Sequence, residues 1–431
     1  MIVQGTTGTG KSYLIGAISK SLKNAAMPNQ SPLLLLAPTG VATFNISAST
    51  IHSKLKIPIK DFSELEGTRL TRFQEEMSPI KYILIDEMSF IGEKLLENID
   101  CRLHQAFPEN SNLNFGGISM ILVGDLNQLP PIRDRPAYDS NRRAKLLWEE
   151  FKIVVTLEKI FRQDGEDIQQ KQFRELLTNM REAHPTINDW KLLMSRTNSN
   201  ITAPMNEEFD NNVHLFSTND NVYNHNRKKL YLLKQPVARG VATKSGNVSA
   251  MEGSLQDELD MELLISKNAR VMLTINLWIE AGLVNGALGY VENIVYKPRS
   301  MPPEPPTYVM VKFDTYSGIP FDAQNPQTVP ISATHRGSTT QIPLRLAWAM
   351  AIHKSQGLTL EKATIDIGPT ERTRKTFVAI SCVKSLEGVR IMPPFTYDRY
   401  EKMKKGKQVE KRKNEENRLK ALEISYCNIL S

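Results

Sequence analysis

What this 431-residue chain lacks narrows its class before any motif is read. It has only three cysteines, Cys101, Cys382 and Cys427, scattered without a CxxC pair. That excludes a disulfide framework or a paired-cysteine metal site, and a reducing compartment, cytosol or nucleus, fits. The longest clean apolar run is 33–37, "LLLLA", far short of the roughly 20 residues that cross a bilayer, so no membrane partner is expected. The chain does not open with a basic stretch leading into an apolar one, so no secretory signal is visible. No internal repeat of solenoid length appears.

Charge of one sign is also scarcer than the total suggests. The net charge is +7, but residues 399–420 hold ten Lys/Arg against four Glu, which leaves the rest of the chain close to neutral. A basic tail can hold phosphate backbones, and it can equally be a solvated helix. Nucleic-acid binding therefore has to be argued from elsewhere. The apolar share of 40% and charged share of 23% are those of an ordinary globular protein, and the length calls for two or three domains.

What is there is a regular alternation. Short apolar runs at 2–4, 33–37, 82–85 and 120–123 each end in a polar turn: "GTTGTGKS", "PTG", "DEMS" and "GDLNQLPP". Helical stretches separate them, which predicts a parallel sheet flanked by helices. Ligands in that architecture bind beyond the carboxyl ends of the strands, where these turns fall. Further strands are predicted at 213–217, 271–274, 364–366 and 389–391. Between about 290 and 341 "YVENIVY", "TYVMVKF" and "TVPIS", broken by "KPRSMPPEPPT", predict a small antiparallel β insertion. From residue 397 onward a charged helical tail is expected.

The first turn matches the P-loop pattern, Gly5-x-x-x-x-Gly10-Lys11-Ser12, after a strand and before a helix with Leu14, Ile15, Ile18 and Leu22 on one face. Gly5, Thr6, Gly8, Thr9 and Gly10 would let backbone N–H groups curl round phosphate oxygens at a helix N-terminus. Lys11 would reach the β- and γ-phosphates of ATP, and the Ser12 hydroxyl would ligate Mg²⁺. The second acidic turn supplies the partner: Asp86 to hold the Mg²⁺ shell, Glu87 to orient or deprotonate an attacking water. Alone, such a pair is more often a solvated turn; after a buried strand and beside a P-loop it points to catalysis. Gln128, in the third turn, could sense the γ-phosphate; Asp125 and Gln128 could also simply cap a loop. These segments imply a nucleoside triphosphatase and nothing narrower.

The ordered set "APTGVATFNISASTIHSKL", "IDEMSFI", "GDLNQLPPI", "LEKIFRQ", "GLVNGALGYV", "LRLAWAMAIHKSQGLTL" and "FVAISCVKSLEG" is narrower. Over residues 3–395 it closely resembles the petite-integration-frequency (PIF) type of superfamily-one DNA helicase, relatives carried by Helitron transposons included. The resemblance implies an α/β fold of two RecA-like P-loop domains, 1–155 and 156–396. A wedge-bearing segment would lie at about 56–79, an SH3-like insertion at about 290–341 and the basic tail at 397–431. It implies an ATP-dependent, 5′-to-3′ motor that acts as a monomer on single-stranded DNA, forks and G-quadruplexes. Repair, recombination and telomere maintenance, in the nucleus or another compartment holding DNA, would be its setting. Arg162 would reach across to the γ-phosphate, and Gln356 and Gly357 would face the nucleotide. Pro38, Thr39, Gly40, Phe44, His52, His353, Lys354 and Ser355 would grip the DNA strand by phosphate contacts and stacking; Phe44 serves equally well as a core residue.

Two departures from the family pattern stand out. A second arginine is expected after the serine of "VAIS", and Cys382 occupies that position without a charged, forked donor. The helices that precede the P-loop strand in relatives, with a glutamine that reads adenine, have no counterpart before Met1. Both departures fit an alternative: a catalytically impaired relative that binds single-stranded DNA, or a transposon-derived fragment.

Overall fold

The computed structural model describes all residues except 26–30, 39–45, 47, 59–60, 132, 245–261, 300–303, 305, 337–338, 370–373, 401–406 and 424–431. The chain divides into two compact units, one of residues 1–206 with 355–431, the other of residues 207–354.

The first unit is built on a six-stranded, all-parallel sheet. Its strands are β1 (Ile2–Gly5), β2 (Leu33–Ala37), β3 (Ser49–Thr50), β4 (Tyr82–Ile85), β5 (Ser119–Gly124) and β6 (Val154–Leu157), in the order β3-β2-β4-β5-β1-β6. The helices on the way are α1 (Lys11–Asn24), α2 (Ile51–Lys54), α3 (Gly67–Met77), α4 (Glu93–Ala106), α5 (Arg143–Glu149) and α6 (Ile168–Arg181). Successive residues of one strand point to opposite faces, and here both faces are covered. Ile2, Leu34, Ile83 and Leu122 enter one apolar cluster, while Val3, Leu33, Leu84 and Val123 enter another. Unbroken apolar runs are what such doubly buried strands require. Phe73 and Met77 of α3 are buried in the first cluster, so truncating either to Ala would cost about 2–5 kcal/mol.

The later part of this unit adds two parallel strands, Ala363–Asp366 and Val389–Ile391, and the helix Lys375–Ser381. The basic tail forms the helix Lys407–Ala421. It is not a solvated rod. Leu419 joins the β-sheet core cluster, and the buried Glu415 accepts from Trp148 Nε1 at 2.7 Å. Among the described residues no helix is long and apolar enough to cross a membrane.

In the second unit, Val213–Phe216 pairs in parallel with Ala349–Ala351. The helix Asn219–Leu232 is fastened to the latter strand by Asn226, which accepts from Ala349 N at 2.8 Å and donates to its carbonyl at 3.1 Å. The three predicted β-rich runs lie in a five-stranded antiparallel sheet, whereas Thr334–Arg336 and Thr339–Gln341, at the end of the predicted stretch, belong to a separate three-stranded one. The order of the five is Thr328–Ser332, Tyr308–Phe313, Leu288–Val295, Arg270–Leu273 and Leu344–Leu346, with a bulge between Val291 and Asn293.

Candidate nucleotide site

The carboxyl ends of β1, β4 and β5 meet in a cavity of about 540 Å³ lined by Lys11, Ser12, Asp86, Glu87, Gln128 and Arg162, with Gly8, Gly10 and Gly357 also in its wall. The structure thus brings together most of the predicted nucleotide residues. The local sequence explains how. Gly10, at φ +82°, turns the loop into α1, whose N-terminus has no side-chain cap and no acidic residue in its first turn. Its first N–H groups are left to an external acceptor, and the helix dipole favours an anion there. Lys11 Nζ folds over the loop, donating to Gly5 O at 2.8 Å and Thr6 O at 2.9 Å. Thr9 Oγ1 braces the same loop through Thr6 O at 2.8 Å.

Close approach sets the far wall. Phe161 N donates to Gly8 O at 2.7 Å, and a Cβ on Gly8 would stand 2.5 Å from Arg162 Cβ. Any side chain at position 8 would push Arg162 away. Arg162 Nη1 donates to Ser381 O at 3.2 Å, and burial lowers its pKa.

Glu87 sits at φ +54°, a left-handed conformation that costs a non-glycine residue roughly 1–2 kcal/mol. The turn is held in place from β5, where a Cβ on Gly124 would come within 2.8 Å of Met88 N. Burial pushes the Glu87 carboxyl up to about 7, with the neighbouring Asp86 charge adding to it and Lys11 opposing it. Asp86 is also raised, by burial first, although the Glu87 N–H donated to its Oδ1 at 2.8 Å and the Lys11 charge pull the other way. Gln356 Nε2 donates to Glu87 Oε2 and to Gln128 Oε1, both at 2.7 Å, and Gln128 Nε2 donates to Thr7 Oγ1 at 3.0 Å. The Gln356 Oε1 atom is buried without a hydrogen-bond partner among the described residues. A chain of amides therefore runs from Gln356 through Gln128 to the P-loop, and it offers one acceptor still to be satisfied. Ser12 and Asp86 supply a hydroxyl and a carboxylate, the hard oxygen donors a magnesium ion takes.

Asp125 does something else. It is fully buried; burial alone would raise its carboxyl, but the Arg181 guanidinium, at 3.0 and 3.2 Å, holds it below the usual aspartate range. It fastens α6 to the β5 turn.

The candidate DNA residues are placed less completely. Thr39, Gly40 and Phe44 lie outside the described residues. Pro38 is half-buried at the end of β2, and His52 in α2 is half-buried with Nδ1 3.1 Å from Ile57 O. His353 and Lys354 belong to the second unit, and Ser355, in the first, is fully buried. Cys382 is 1% exposed; its Sγ donates to Ser355 O at 2.9 Å, and burial raises its thiol pKa. Two aromatic residues that the sequence reading passed over line the nucleotide cavity: Tyr13, 84% exposed on α1, and Phe161. Their signal was adjacency to known site residues, Tyr13 directly after Ser12 and Phe161 directly before Arg162.

A P-loop at the carboxyl edge of a parallel sheet, faced by two buried carboxylates, defines the P-loop nucleotide-binding class. Within that class, the PIF1-like helicase family model matches residues 1–189. The human ATP-dependent DNA helicase PIF1 is 28% identical over 404 residues, covering 90% of this chain and 57% of the relative. The Campylobacter jejuni Pif1 helicase is 27% identical, covering 88% of this chain and 86% of its own. The crystal structure of Pif1 helicase from Candida albicans superposes with a TM-score of 0.75 at 25% identity, over 96% of this chain and 95% of that one. Pif1 helicase from Bacteroides in complex with ADP-AlF3 and single-stranded DNA gives 0.66 at 25% identity, over 92% and 89%. The chain spans little more than half the length of the human relative. The resemblance to PIF-type helicases read from the ordered motifs holds in sequence and in fold.

Proposed function

We propose that the chain is an ATP-dependent DNA helicase that translocates 5′ to 3′ on single-stranded DNA and opens duplexes, forks and G-quadruplexes. The observation that carries this reading is the cavity that gathers Lys11, Ser12, Asp86, Glu87, Gln128 and Arg162 from separate segments of the chain. Support comes from relatives named as ATP-dependent DNA helicases and from a neighbouring structure holding ADP-AlF3 and single-stranded DNA. Lys11 and Arg162 would neutralise charge developing on the transferred phosphoryl, and Ser12 and Asp86 would hold Mg²⁺. Glu87 would accept the proton of the attacking water; its carboxyl, pushed up to about 7, matches the pKa a base needs near neutral pH. Pro38, Thr39, Gly40, Phe44, His52, His353, Lys354 and Ser355 would contact the strand. Two RecA-like domains at 1–155 and 156–396, an SH3-like module at about 290–341, a wedge at about 56–79 and action as a monomer complete the proposal. Its setting would be repair, recombination or telomere maintenance in a compartment that holds DNA. The test is strand separation of a 5′-tailed duplex with Mg-ATP. Unwinding by the unaltered protein that is lost in Lys11→Ala is the expected result, and no unwinding by the unaltered protein overturns the reading.

One observation favours a second reading, a catalytically impaired single-stranded DNA-binding relative. Where a cation is expected, Cys382 presents a buried neutral thiol engaged with Ser355 O. An arginine finger accounts for roughly 10³–10⁵ in rate where one is used. Tight binding of single-stranded DNA with negligible ATP turnover, raised in Cys382→Arg, would support this reading. DNA-stimulated turnover in the unaltered protein would end it.

A further inference from the structure

A second cavity, of about 550 Å³, lies against the β5 turn and the helix Lys407–Ala421. Its wall includes Gln128, Tyr138, Arg374, Phe395 and Arg412. Two of these are buried cations with donors left over. Arg374 is 8% exposed; its Nη1 donates to Leu126 O at 2.9 Å, and its Nη2 is buried with no hydrogen-bond partner among the described residues. Arg412 is 3% exposed, and its Nε and Nη2 are likewise buried without a partner. The nearest carboxylate oxygen to its Nε, on Glu416, is 3.9 Å away, too far for a hydrogen bond. Other charges in the wall are accounted for: Lys411 pairs with Asp139 at 2.7 Å, and Arg399 donates to Gly368 O and Ile367 O at 2.7 and 3.0 Å. Asp398 lines the wall as well and is exposed.

A buried guanidinium with unsatisfied N–H groups is expensive, and the cost is removed most directly by an anion that accepts from several of them. Phosphate oxygens suit the guanidinium fork. The volume falls within the roughly 300–1,000 Å³ of small-molecule sites, much more than a bare phosphate fills. Tyr138 and Phe395 add apolar surface to the wall, the Phe395 ring already carrying the Arg399 guanidinium 5.4 Å from its centroid and the Tyr138 ring packing on Trp148.

We propose that this cavity is a second anion site, distinct from the P-loop, that takes the phosphate of a nucleotide-sized ligand between Arg374 and Arg412. The ligand is a nucleoside phosphate, free in solution or at the end of a nucleic-acid strand. Gln128 stands in the wall of this cavity and of the nucleotide cavity alike, with its amide hydrogen-bonded on the nucleotide side to Thr7 and Gln356. The inference does not rest on helicase activity, because binding alone decides it.

The experiment is calorimetric titration of the full chain carrying Lys11→Ala, which weakens the P-loop. The probes are thymidine 5′-monophosphate, thymidine, and a four-thymidine oligonucleotide with or without a 5′-phosphate. The expected result is saturable binding of the monophosphate but not of thymidine, weakened about tenfold or more by Arg374→Gly or Arg412→Gln, the scale of a charge-assisted hydrogen bond. Arg374→Gly keeps the backbone well placed, since residue 374 has φ +62°, where glycine is at ease. Tighter binding of the phosphorylated oligonucleotide than of both the monophosphate and the unphosphorylated oligonucleotide identifies a strand end as the source; a 5′-phosphate that adds nothing to oligonucleotide binding identifies a free nucleotide. No binding of any phosphate probe, or binding untouched by both substitutions while melting curves stay cooperative, overturns the proposal.

Discussion

The tips of β4 and β5 look alike as sequence, each an apolar run ending in an aspartate-bearing turn, yet they carry opposite chemistry. At the β4 tip, Asp86 and Glu87 are buried side by side, with Lys11 as the cation acting on both and amide groups as the remaining partners. Both carboxyls are raised, Glu87 to about 7. At the β5 tip, Asp125 is equally buried but clasped by Arg181, and its carboxyl is lowered. Burial is common to the two; the presence of a forked cation at hydrogen-bond distance decides the sign. One tip holds a group able to take up a proton near neutral pH, the other a fixed ion pair.

The largest expected effect is at the P-loop, on which any use of the β4 tip depends. Lys11→Ala is expected to abolish ATP hydrolysis, read as phosphate release with saturating single-stranded DNA. Turnover within a few-fold of the unaltered protein would remove the cavity from consideration as a catalytic site.

Glu87→Gln comes next and tests the comparison directly. Loss of a general base costs roughly 10²–10⁴ in rate, read as phosphate release beside the unaltered protein; a loss of less than about tenfold would remove Glu87 from that role. The same substitution should stabilise the fold. A carboxyl whose folded pKa is raised from 4.5 to about 7 loses stability as pH climbs between those values, by about 3 kcal/mol when the climb is complete. The melting temperature of Glu87→Gln should therefore exceed that of the unaltered protein at pH 8 and match it near pH 4.5. Equal melting at pH 8 would place Glu87 in a more solvated site than its burial indicates.

Asp125→Asn should do the reverse, costing stability. Removing one partner of a buried pair costs about 3–5 kcal/mol; Glu416, 4.0 Å from Arg181, offsets part of it, so the lower end is expected. Because the Asp125 carboxyl is lowered in the fold, its contribution is complete above the ordinary value of 3.8 and is lost as acid carries the pH down through the folded value. The variant's deficit in denaturant midpoint should hold at pH 7 and shrink only below about pH 4. A deficit that vanishes at pH 6 would mean that Asp125 is not the charge that matters.

How much of this was legible follows from where the partners come from. The strand runs at 33–37 and 82–85 coincide with β2 and β4, because strands buried on both faces must be apolar throughout. The P-loop was legible because its chemistry is local: glycines, lysine and serine lie within eight residues. Asp125 could not be told from its sequence neighbourhood, since Arg181 arrives from 56 positions away on α6. Nor could the amide chain through Gln356, 269 positions from Glu87. The tail read as a basic run, and its buried face, Arg412, Glu415 and Leu419, depends on Trp148 and the sheet core it meets.

The smallest effect sharpens the same contrast from a third place, Arg374. Like Glu87 it is a buried ionisable residue in a left-handed conformation, φ +62° against +54°, but it has a guanidinium donor to spare rather than a proton to gain. Arg374→Gly removes a backbone penalty of roughly 1–2 kcal/mol and an unsatisfied buried donor, and it loses the hydrogen bond to Leu126 O, worth about 1 kcal/mol. The net expectation is a melting temperature unchanged or raised by a few degrees in buffer without phosphate. Thymidine 5′-monophosphate should then raise the melting temperature of Lys11→Ala protein and leave the Lys11→Ala, Arg374→Gly protein unmoved. A large drop on Arg374→Gly alone would make Arg374 a structural clamp like Arg181, with its donors spent on the protein and not held for a ligand.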